Sequence, residues 1–211
     1  MQVLEHEHYE IQHYDDIPSY VIGTYILDVG AGDCYGAYHS KHRDVFLHNN
    51  YLGVDAQSFK TTYLKCVVSD IFDFQTEKKF DTIILSHILE HFYIEDWEKI
   101  FSKILTFLKP NGYLIINVPF KQQKAPLVDN EFMRHKVLHI DEKLLSCYCP
   151  FQKFIRCKEN GHDRIIFRNS GEPFKKAILR FFYRILTHHK YSILRTFKAP
   201  TLRLVAIYKK E

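Results

Sequence analysis

The stretch Ile26–Gly36 constrains the fold of this chain more than any other segment, because it joins a strand-like run to a glycine-rich turn. The apolar run Tyr25–Val29 ends abruptly, and Gly30 and Gly32 follow it before helix-compatible sequence. Glycine has no Cβ, so the backbone turns tightly there and comes close to a ligand. A helix that begins after such a turn directs free N–H groups at that ligand. Several kinds of nucleotide-binding fold share this Gly-x-Gly turn, so its partners along the chain decide between them.

Length and composition are those of one globular domain, predicted to span residues 1–211. The 211 residues are 46% apolar and 26% charged, which is enough to bury a full core. No apolar run reaches about 18 residues and no signal-peptide pattern begins the chain, so we expect a cytoplasmic protein without a transmembrane segment. The five cysteines lack Cys-x-x-Cys spacing, which favours reduced thiols over a disulfide framework or a zinc ribbon.

Predicted strands and helices alternate after the lead-in. The predicted strands are 25–29, 51–55, 63–68, 80–86, 113–118, 154–157 and 202–208, with a further extended piece at 164–167. A helix is predicted over 35–49, and a second one carries an apolar stripe at spacings of three and four: Trp97, Ile100, Phe101, Ile104, Leu105 and Leu108. The segment Leu108–Gly112 is predicted to break the second helix before the fifth strand begins. This alternation predicts an α/β fold with a doubly wound parallel sheet and its ligand at the switch point.

Two strands of this pattern end in carboxylates. Asp55 closes the second strand, where an acid accepts hydrogen bonds from both hydroxyls of a ribose. A turn aspartate that caps a helix is the alternative interpretation of Asp55. Ser69 and Asp70 follow the third strand, and a polar residue there faces the crevice beside an adenine.

In order and spacing, five segments resemble the class I methyltransferases that use S-adenosylmethionine, over roughly residues 20–150. They are Leu27–Gly32, Asp55, Ser69–Asp70, Phe80–His91 and Leu108–Leu114. The resemblance implies a Rossmann-like, mostly parallel seven-stranded sheet with helices on both faces and an antiparallel last strand. It also implies S-adenosylmethionine as cofactor and methyl transfer to an acceptor.

The cofactor-binding residues that the resemblance implies are Asp28, Gly30, Gly32, Asp55, Asp70 and Ser86. In such a site the two glycines lie against the methionine portion, and Asp28 orients their loop. Asp55 holds the ribose and Asp70 the adenine amino group. Cys34 departs from the family pattern, because it stands in place of the usual third glycine.

Two other functions remain open beside the methyltransferase. A nicotinamide-dependent oxidoreductase also uses glycines and an acid such as Asp55, and Gly30, Gly32 and Gly36 form a loose variant of its fingerprint. Asp70 and the Lys109–Gly112 segment speak against it. A non-catalytic module that binds S-adenosylmethionine without turnover is the other alternative.

Histidines are the candidate catalytic residues. His87 ends the fourth strand, where the methyl acceptor arrives, and it either accepts the acceptor's proton or satisfies backbone groups. His139 lies in Arg134–His139, which resembles the acceptor-side loop of small-molecule members of the family, and Asp141 is placed to begin a helix. His87 to His91 also reads His-x-x-Glu-His, a zinc pattern on some helices, but the resemblance explains it without an ion, so we expect no metal.

The two ends of the domain are less regular. Residues 1–24 form a polar lead-in whose His6, His8 and His13 lack a spacing that defines a metal site. Residues 171–200 are predicted to be a basic helical insertion before the last strand. Its stretch 173–200 holds seven Lys or Arg and no acid, although the whole chain is only +4. In its predicted helix, Lys176, Arg180 and Arg184 lie roughly opposite an apolar face.

We therefore expect a small-molecule acceptor, since no Asn/Asp-Pro-Pro-Tyr sequence typical of base or amide methylation follows the fourth strand. Nucleic acid is not an expected partner. For the basic insertion we expect one of three roles: a packed helix with a solvated basic face, a lid over the acceptor, or a surface for an anionic membrane or phosphorylated ligand.

Overall fold

The computed structural model of the protein describes residues 11, 13–121, 134–158 and 202–211. Seven strands form one sheet in the order β3-β2-β1-β4-β5-β7-β6. They are β1 (Tyr25–Val29), β2 (Asn50–Asp55), β3 (Cys66–Val68), β4 (Phe80–Ser86), β5 (Leu108–Phe120), β6 (Lys153–Lys158) and β7 (Leu202–Lys209). The helices that follow the lead-in are α1 (Tyr35–His39), α2 (Arg43–His48), α3 (Trp97–Phe107) and α4 (Glu142–Ser146).

The sheet is mostly parallel and doubly wound. β1 pairs in parallel with both β2 and β4, β3 with β2, and β5 with β4, whereas the last strand is antiparallel. The strand order reverses between β1 and β4, so the ligand crevice is expected outside their carboxyl ends. Val29 lies opposite Val54 and Leu85, and therefore the chain leaves β1, β2 and β4 at one level. The predicted fold class is confirmed.

Burial of both sheet faces explains the continuous apolar runs of the strands. Successive side chains point to opposite faces, so Ile26 and Ile84 belong to one apolar cluster while Leu27 and Ile83 belong to the other. α3 packs on the second cluster through the predicted stripe: Trp97, Ile100, Phe101 and Ile104 are buried. Leu108, the last residue of that predicted stripe, instead begins β5.

The helix predicted over 35–49 is wrong as one element, because α1 and α2 are separate helices. Ser40 interrupts them with its own side chain. Its hydroxyl donates to the Ala37 carbonyl (2.9 Å) and accepts from the His42 N–H (3.2 Å). A serine hydroxyl that bonds the backbone in this way competes with the helical ladder. The apolar pattern of the segment does not reveal that competition.

The helix break predicted at Leu108–Gly112 is confirmed, because α3 ends at Phe107, but the predicted start of the fifth strand at Tyr113 is wrong, because β5 already begins at Leu108. Asn111 has a φ of 61°, and the register with β4 shifts between Phe80 and Thr82. The Asn111 N–H donates to the Lys210 carbonyl, and the Lys210 N–H donates to the Gly112 carbonyl (both 2.9 Å). Turn-forming residues therefore produce a bulge in a continuous strand. β3, predicted to begin at residue 63, begins at Cys66.

The lead-in is anchored to the sheet. Residues 13–15 are helical, and Ile17 and Val21 are buried. Asp16 pairs with the buried guanidinium of Arg203 on β7 at 2.5 Å. Among the described residues, no helix is long and apolar enough to span a membrane. The predictions for His6, His8, the extended piece 164–167 and the basic insertion fall outside the described residues.

Candidate functional site

The glycine turn has the backbone geometry that its sequence predicts. Gly30 and Gly32 have φ values of 74° and 58°, in the left-handed region that favours glycine. A Cβ on Gly30 would overlap the side chain of Ile88, whereas a Cβ on Gly32 would meet nothing within 4 Å. Gly30 is therefore a packing position, and Gly32 borders open space at the carboxyl end of β1.

Asp55 is tied to this turn from the neighbouring strand. Its Oδ2 accepts the Gly32 N–H and its Oδ1 accepts the Gln57 N–H, both at 2.8 Å. An ionised carboxylate has about four acceptor sites, so these two bonds leave capacity for further donors. Asp55 thus shapes the loop and presents acceptor oxygen beside Gly32.

Asp28 is fully buried beneath the turn. Its Oδ2 accepts hydrogen bonds from the Tyr14 and Tyr51 hydroxyls, at 2.8 and 2.6 Å. Burial raises the pKa of Asp28 to about 7, against the lowering effect of the two tyrosine hydrogen bonds. This carboxyl anchors the lead-in and β2 to the strand that carries the glycines. The sequence around Tyr14 and Tyr51 gives no indication that their hydroxyls bond to Asp28.

Cys34 occupies its position because a neighbouring glycine makes room for it. Cys34 is buried with a φ of 66°, and a Cβ on Gly53 would lie only 2.9 Å from its sulfur. The same Cβ would lie 3.4 Å from the sulfur of Cys66 on β3. A hydrogen bond between the two thiols lowers the pKa of Cys66, and together with burial it raises the pKa of Cys34. The sulfur at Cys34 packs inward, away from the open side of the turn.

Asp70 accepts hydrogen bonds from the turn that follows β3, a role separate from its predicted contact with the adenine amino group. Its Oδ1 accepts the Phe72 N–H at 2.8 Å, and its carbonyl accepts the Phe74 N–H at 2.8 Å, which closes the turn after β3. No contact with Asp55 or the glycine turn is described for its side chain among the residues that the structure covers. The adenine role of Asp70 stays a prediction.

Unpaired polar atoms lie at the ends of β4 and β5. Ser86 and Asn117 face each other in register and are buried. Ser86 Oγ and Asn117 Oδ1 have no hydrogen-bond partner within the described part of the chain. Buried polar atoms are nearly always bonded, so such atoms fit a site that receives a polar ligand. Asn117 is the functional candidate that the sequence analysis missed, although an amide inside the apolar run 113–118 was a visible signal.

His87 leaves β4 in an unusual conformation. Its φ is 53°, which is uncommon for a residue with a side chain, and its N–H donates to the Asn117 carbonyl at 2.7 Å. Its ring stacks on His13 with 3.6 Å between centroids, and Nδ1 lies 3.0 Å from Glu90 Oε1. The lead-in and a buried carboxylate therefore set the orientation of this imidazole, with Nε2 on the side of the ring away from Glu90.

Glu90 lies at the centre of a histidine cluster. It is fully buried, and one ligand atom each of Glu90, His91 and His135 lie within 4.8 Å of one another. Burial by itself raises the pKa of Glu90, but the imidazoles of His87, His91 and His135 lower it below its usual value. Burial lowers the pKa of His135. This cluster lies directly next to His87.

His139 lies apart from this cluster. It is exposed, and among the described residues no hydrogen bond or ring contact joins it to His87. Asp141 next to it does cap α4, as predicted, by accepting the Leu144 N–H at 3.0 Å. Of the two predicted catalytic histidines, only His87 lies at the carboxyl end of β4.

Comparisons with solved structures agree with this fold. An S-adenosylmethionine-dependent methyltransferase from Archaeoglobus fulgidus superposes with a TM-score of 0.59 at 18% identity, over 97% of this chain and 94% of that one. The N-methyltransferase NodS from Bradyrhizobium japonicum WM9 gives 0.55 at 11% identity, over 98% and 96%. Coclaurine N-methyltransferase, solved with N-methylheliamine and S-adenosylhomocysteine, gives 0.58 at 12% identity, over 97% and 72%.

At these identities the structural similarity shows the fold alone. A search of curated protein sequences finds no match. A family model described as "Methyltransferase domain" matches residues 21–156, which is more than half of the chain and includes the glycine turn, Asp55, His87 and Glu90. The predicted family is therefore confirmed: the chain belongs to the methyltransferase-domain family, as a class I S-adenosylmethionine-dependent methyltransferase.

Proposed function

We propose that this methyltransferase acts on a small-molecule acceptor, with Gly32 and Asp55 at the cofactor and His87 at the acceptor. The open space beside Gly32 carries the proposal, because it adjoins the Asp55 carboxylate. The unpaired Ser86 Oγ and Asn117 Oδ1 supply further polar groups at the ends of β4 and β5. These residues fit a ligand with ribose hydroxyls and a polar amino-acid end.

S-adenosylmethionine supplies a methyl group that its sulfonium sulfur already activates. The chain's residues therefore need only to hold the acceptor in line with that group, exclude water and take a proton where the acceptor has one to lose. Imidazole is the most common general base among protein side chains, so His87 is suited to that last role. The Glu90 carboxylate faces Nδ1 of the same ring at 3.0 Å, which leaves Nε2 for the acceptor.

Cofactor binding is tested with S-adenosylhomocysteine, which requires no acceptor. Asp55→Ala should weaken its binding by about 1.5–3 kcal/mol, the scale of hydrogen bonds to a charged group. Asp55→Asn retains an oxygen for the Gly32 N–H and separates loss of charge from collapse of the loop. Asp73→Ala, at an exposed acid after β3, is the matched control and should bind as the wild type does. Equal affinity of wild type and Asp55→Ala by calorimetry, or a preference for NAD, would contradict the assignment.

The class of acceptor is tested by following the methyl group itself. The protein is incubated with methyl-labelled S-adenosylmethionine and a cell extract that is then divided into small molecules, protein and nucleic acid. We expect label in the small-molecule fraction, in line with the small ligands bound to coclaurine N-methyltransferase and to 1,6-didemethyltoxoflavin-N1-methyltransferase, which have a similar fold. Label confined to the macromolecular fractions overturns this part of the proposal. Cofactor binding without label in any fraction supports the non-catalytic alternative.

His87 is tested once that acceptor is isolated. His87→Ala should leave the affinity for S-adenosylhomocysteine near that of the wild type and lower turnover by about 10²–10⁴-fold, the usual contribution of a positioned acid or base. His139→Ala is the comparison, because it changes an exposed histidine of the neighbouring segment. A stable His87→Ala protein with full turnover would exclude the catalytic role.

Residues 1–211 are proposed to fold as one cytoplasmic domain.

The basic stretch 173–200 is proposed to contact an anionic ligand. If that ligand is a membrane, binding of the protein to anionic vesicles must weaken as the salt concentration rises, because exposed charges are screened within about 8–10 Å at physiological ionic strength. A variant with Lys176, Arg180 and Arg184 changed to Gln is the control for co-sedimentation. No binding at low salt discards the membrane version. Loss of activity on a phosphorylated acceptor, with normal cofactor affinity, identifies a lid.

A further inference from the structure

Two segments that are distant in sequence meet at Glu90. Its carbonyl accepts the Lys136 N–H at 2.6 Å and the Val137 N–H at 3.2 Å. These bonds hold His135 against the 3-10 turn Leu89–His91. The rings of His91 and His135 meet edge to face, with 4.8 Å between their centroids. The backbone therefore brings two imidazoles and one carboxylate together before any ligand arrives.

The buried carboxylate in this cluster has imidazoles around it but lacks side-chain hydrogen bonds among the described residues. Glu90 has no exposed surface, and its Oε2 has no hydrogen-bond partner among the described residues. The contact of Oε1 with His87 lacks hydrogen-bond geometry. His91 Nδ1 is also buried without a partner in the described chain. Buried charges are normally paired or coordinate a metal, so the cluster is incomplete as it stands.

We infer that Glu90, His91 and His135 bind a divalent transition-metal ion such as Zn²⁺ on the acceptor side of the site. Two imidazoles and one carboxylate are the protein ligands of one class of zinc centre, in which a fourth position stays open to water. The same donor set also binds other first-row ions, so Zn²⁺ serves as the probe. The inference requires no particular acceptor, but its description as the acceptor side rests on the proposed function, and Glu90 also contacts His87.

This site differs from the helical pattern that His-x-x-Glu-His suggests. That pattern requires His87 and His91 on one face of a helix, whereas residues 89–91 form a single 3-10 turn and His87 precedes it with a φ of 53°. The second imidazole comes from His135, on the segment that packs against Glu90. An ion with ligand bonds of about 2.1 Å needs ligand atoms about 3.4 Å apart, so the side chains close by roughly 1 Å.

Metal binding is tested on the full chain after it has been stripped with EDTA and dialysed. Calorimetric titration with ZnCl₂ should show one ion bound more tightly than any background, and Zn²⁺ should raise the melting temperature. The His91→Gln/His135→Gln variant should bind that ion at least about tenfold more weakly, since removing even an outer-sphere partner lowers metal affinity about 10–100-fold. His48→Gln, at an exposed histidine on α2, is the matched control and should bind as the wild type does.

Three outcomes would overturn the inference: a stripped wild-type protein that binds no Zn²⁺, a double variant that binds it equally well, or equal loss in His48→Gln. Far-UV circular dichroism checks that each variant folds. His135→Gln alone, at a half-exposed position, provides the same comparison if the double variant does not fold. The N-terminal histidines are present in every variant, so weak binding there cancels in the comparison. Failure of this test leaves S-adenosylhomocysteine binding, and hence the proposed function, unaffected.

Discussion

The buried carboxyl of Asp28 makes the stability of this protein depend on pH in a way that one substitution removes. The titratable groups that interact with it are Tyr14, Tyr51, Cys34, Cys66 and Asp55, and none of them carries a positive charge. Asp28→Asn replaces the carboxyl with an uncharged group of the same shape. The amide oxygen still accepts the two tyrosine hydroxyls.

The expected size of the effect follows from the raised pKa. Burial moves the pKa of Asp28 from 3.8 to about 7, so the folded state keeps a proton that the unfolded state releases. This shift of about three units corresponds to about 4 kcal/mol. Below the unfolded pKa both states are protonated, and the stabilisation by the neutral carboxyl is fully present. It is lost as the pH rises from about 4 to about 7, and above that range the difference is constant.

Urea unfolding across this pH range measures the effect. The free energy of unfolding of the wild type should fall by about 4 kcal/mol more than that of Asp28→Asn between about pH 4 and about pH 7. A pH-independent offset of about 1–3 kcal/mol is also expected, because the new amide N–H stands where Oδ1 has no described partner. Asp73→Asn, at an exposed acid, should follow the wild-type profile. Parallel profiles for wild type and Asp28→Asn would refute the reasoning.

Three further predictions concern the two glycines of the turn and the reactivity of the cysteines. Gly32→Ala should weaken binding of S-adenosylhomocysteine, because its Cβ enters the open side of the turn, and its φ adds about 1–2 kcal/mol of strain. Gly30→Ala should lower the melting temperature more than Gly32→Ala does without ligand, since its Cβ overlaps a packed side chain; the reverse order would contradict the assignment. Cys66 should be alkylated faster than Cys149 near neutral pH, because burial raises the pKa of Cys149 to about 12; peptide mass spectrometry gives the order.

The position of the candidate cofactor residues could be predicted from the sequence because its determinants are local. Each candidate residue lies at or near the carboxyl end of a predicted apolar strand, and parallel strands that end at one level bring those ends together. Gly32 and Asp55 are adjacent for this reason, and their hydrogen bond follows from the register of β1 and β2. The tyrosines below Asp28 could not be predicted, because an aromatic residue in an apolar segment gives no indication of where its hydroxyl points.

The errors at Ser40 and at the start of β5 have a common cause. Sequence patterns weigh a residue's usual preference, whereas hydrogen bonds in the folded chain decide its conformation. The Ser40 hydroxyl interrupts a segment with a helical apolar pattern. Pairing with Lys210 at the far end of the chain keeps a turn-forming segment inside β5. The neighbouring sequence indicates neither the hydrogen bond of the Ser40 hydroxyl nor the pairing with Lys210.

The proposed acceptor side depends on hydrogen bonds between segments that are distant in sequence. For this reason the sequence did not indicate that His135 lies beside Glu90. His87 and Glu90 belong to one motif, but His135 reaches them only because two backbone N–H groups of its segment bond the Glu90 carbonyl. Bringing distant segments together costs chain entropy, so such a contact persists only where the interactions that it makes offset that cost. A fully buried carboxylate without described hydrogen bonds works against that stability unless a positive charge compensates it. The proposed ion would compensate it, so His135 and the segment that carries it should be held less firmly when the metal is removed.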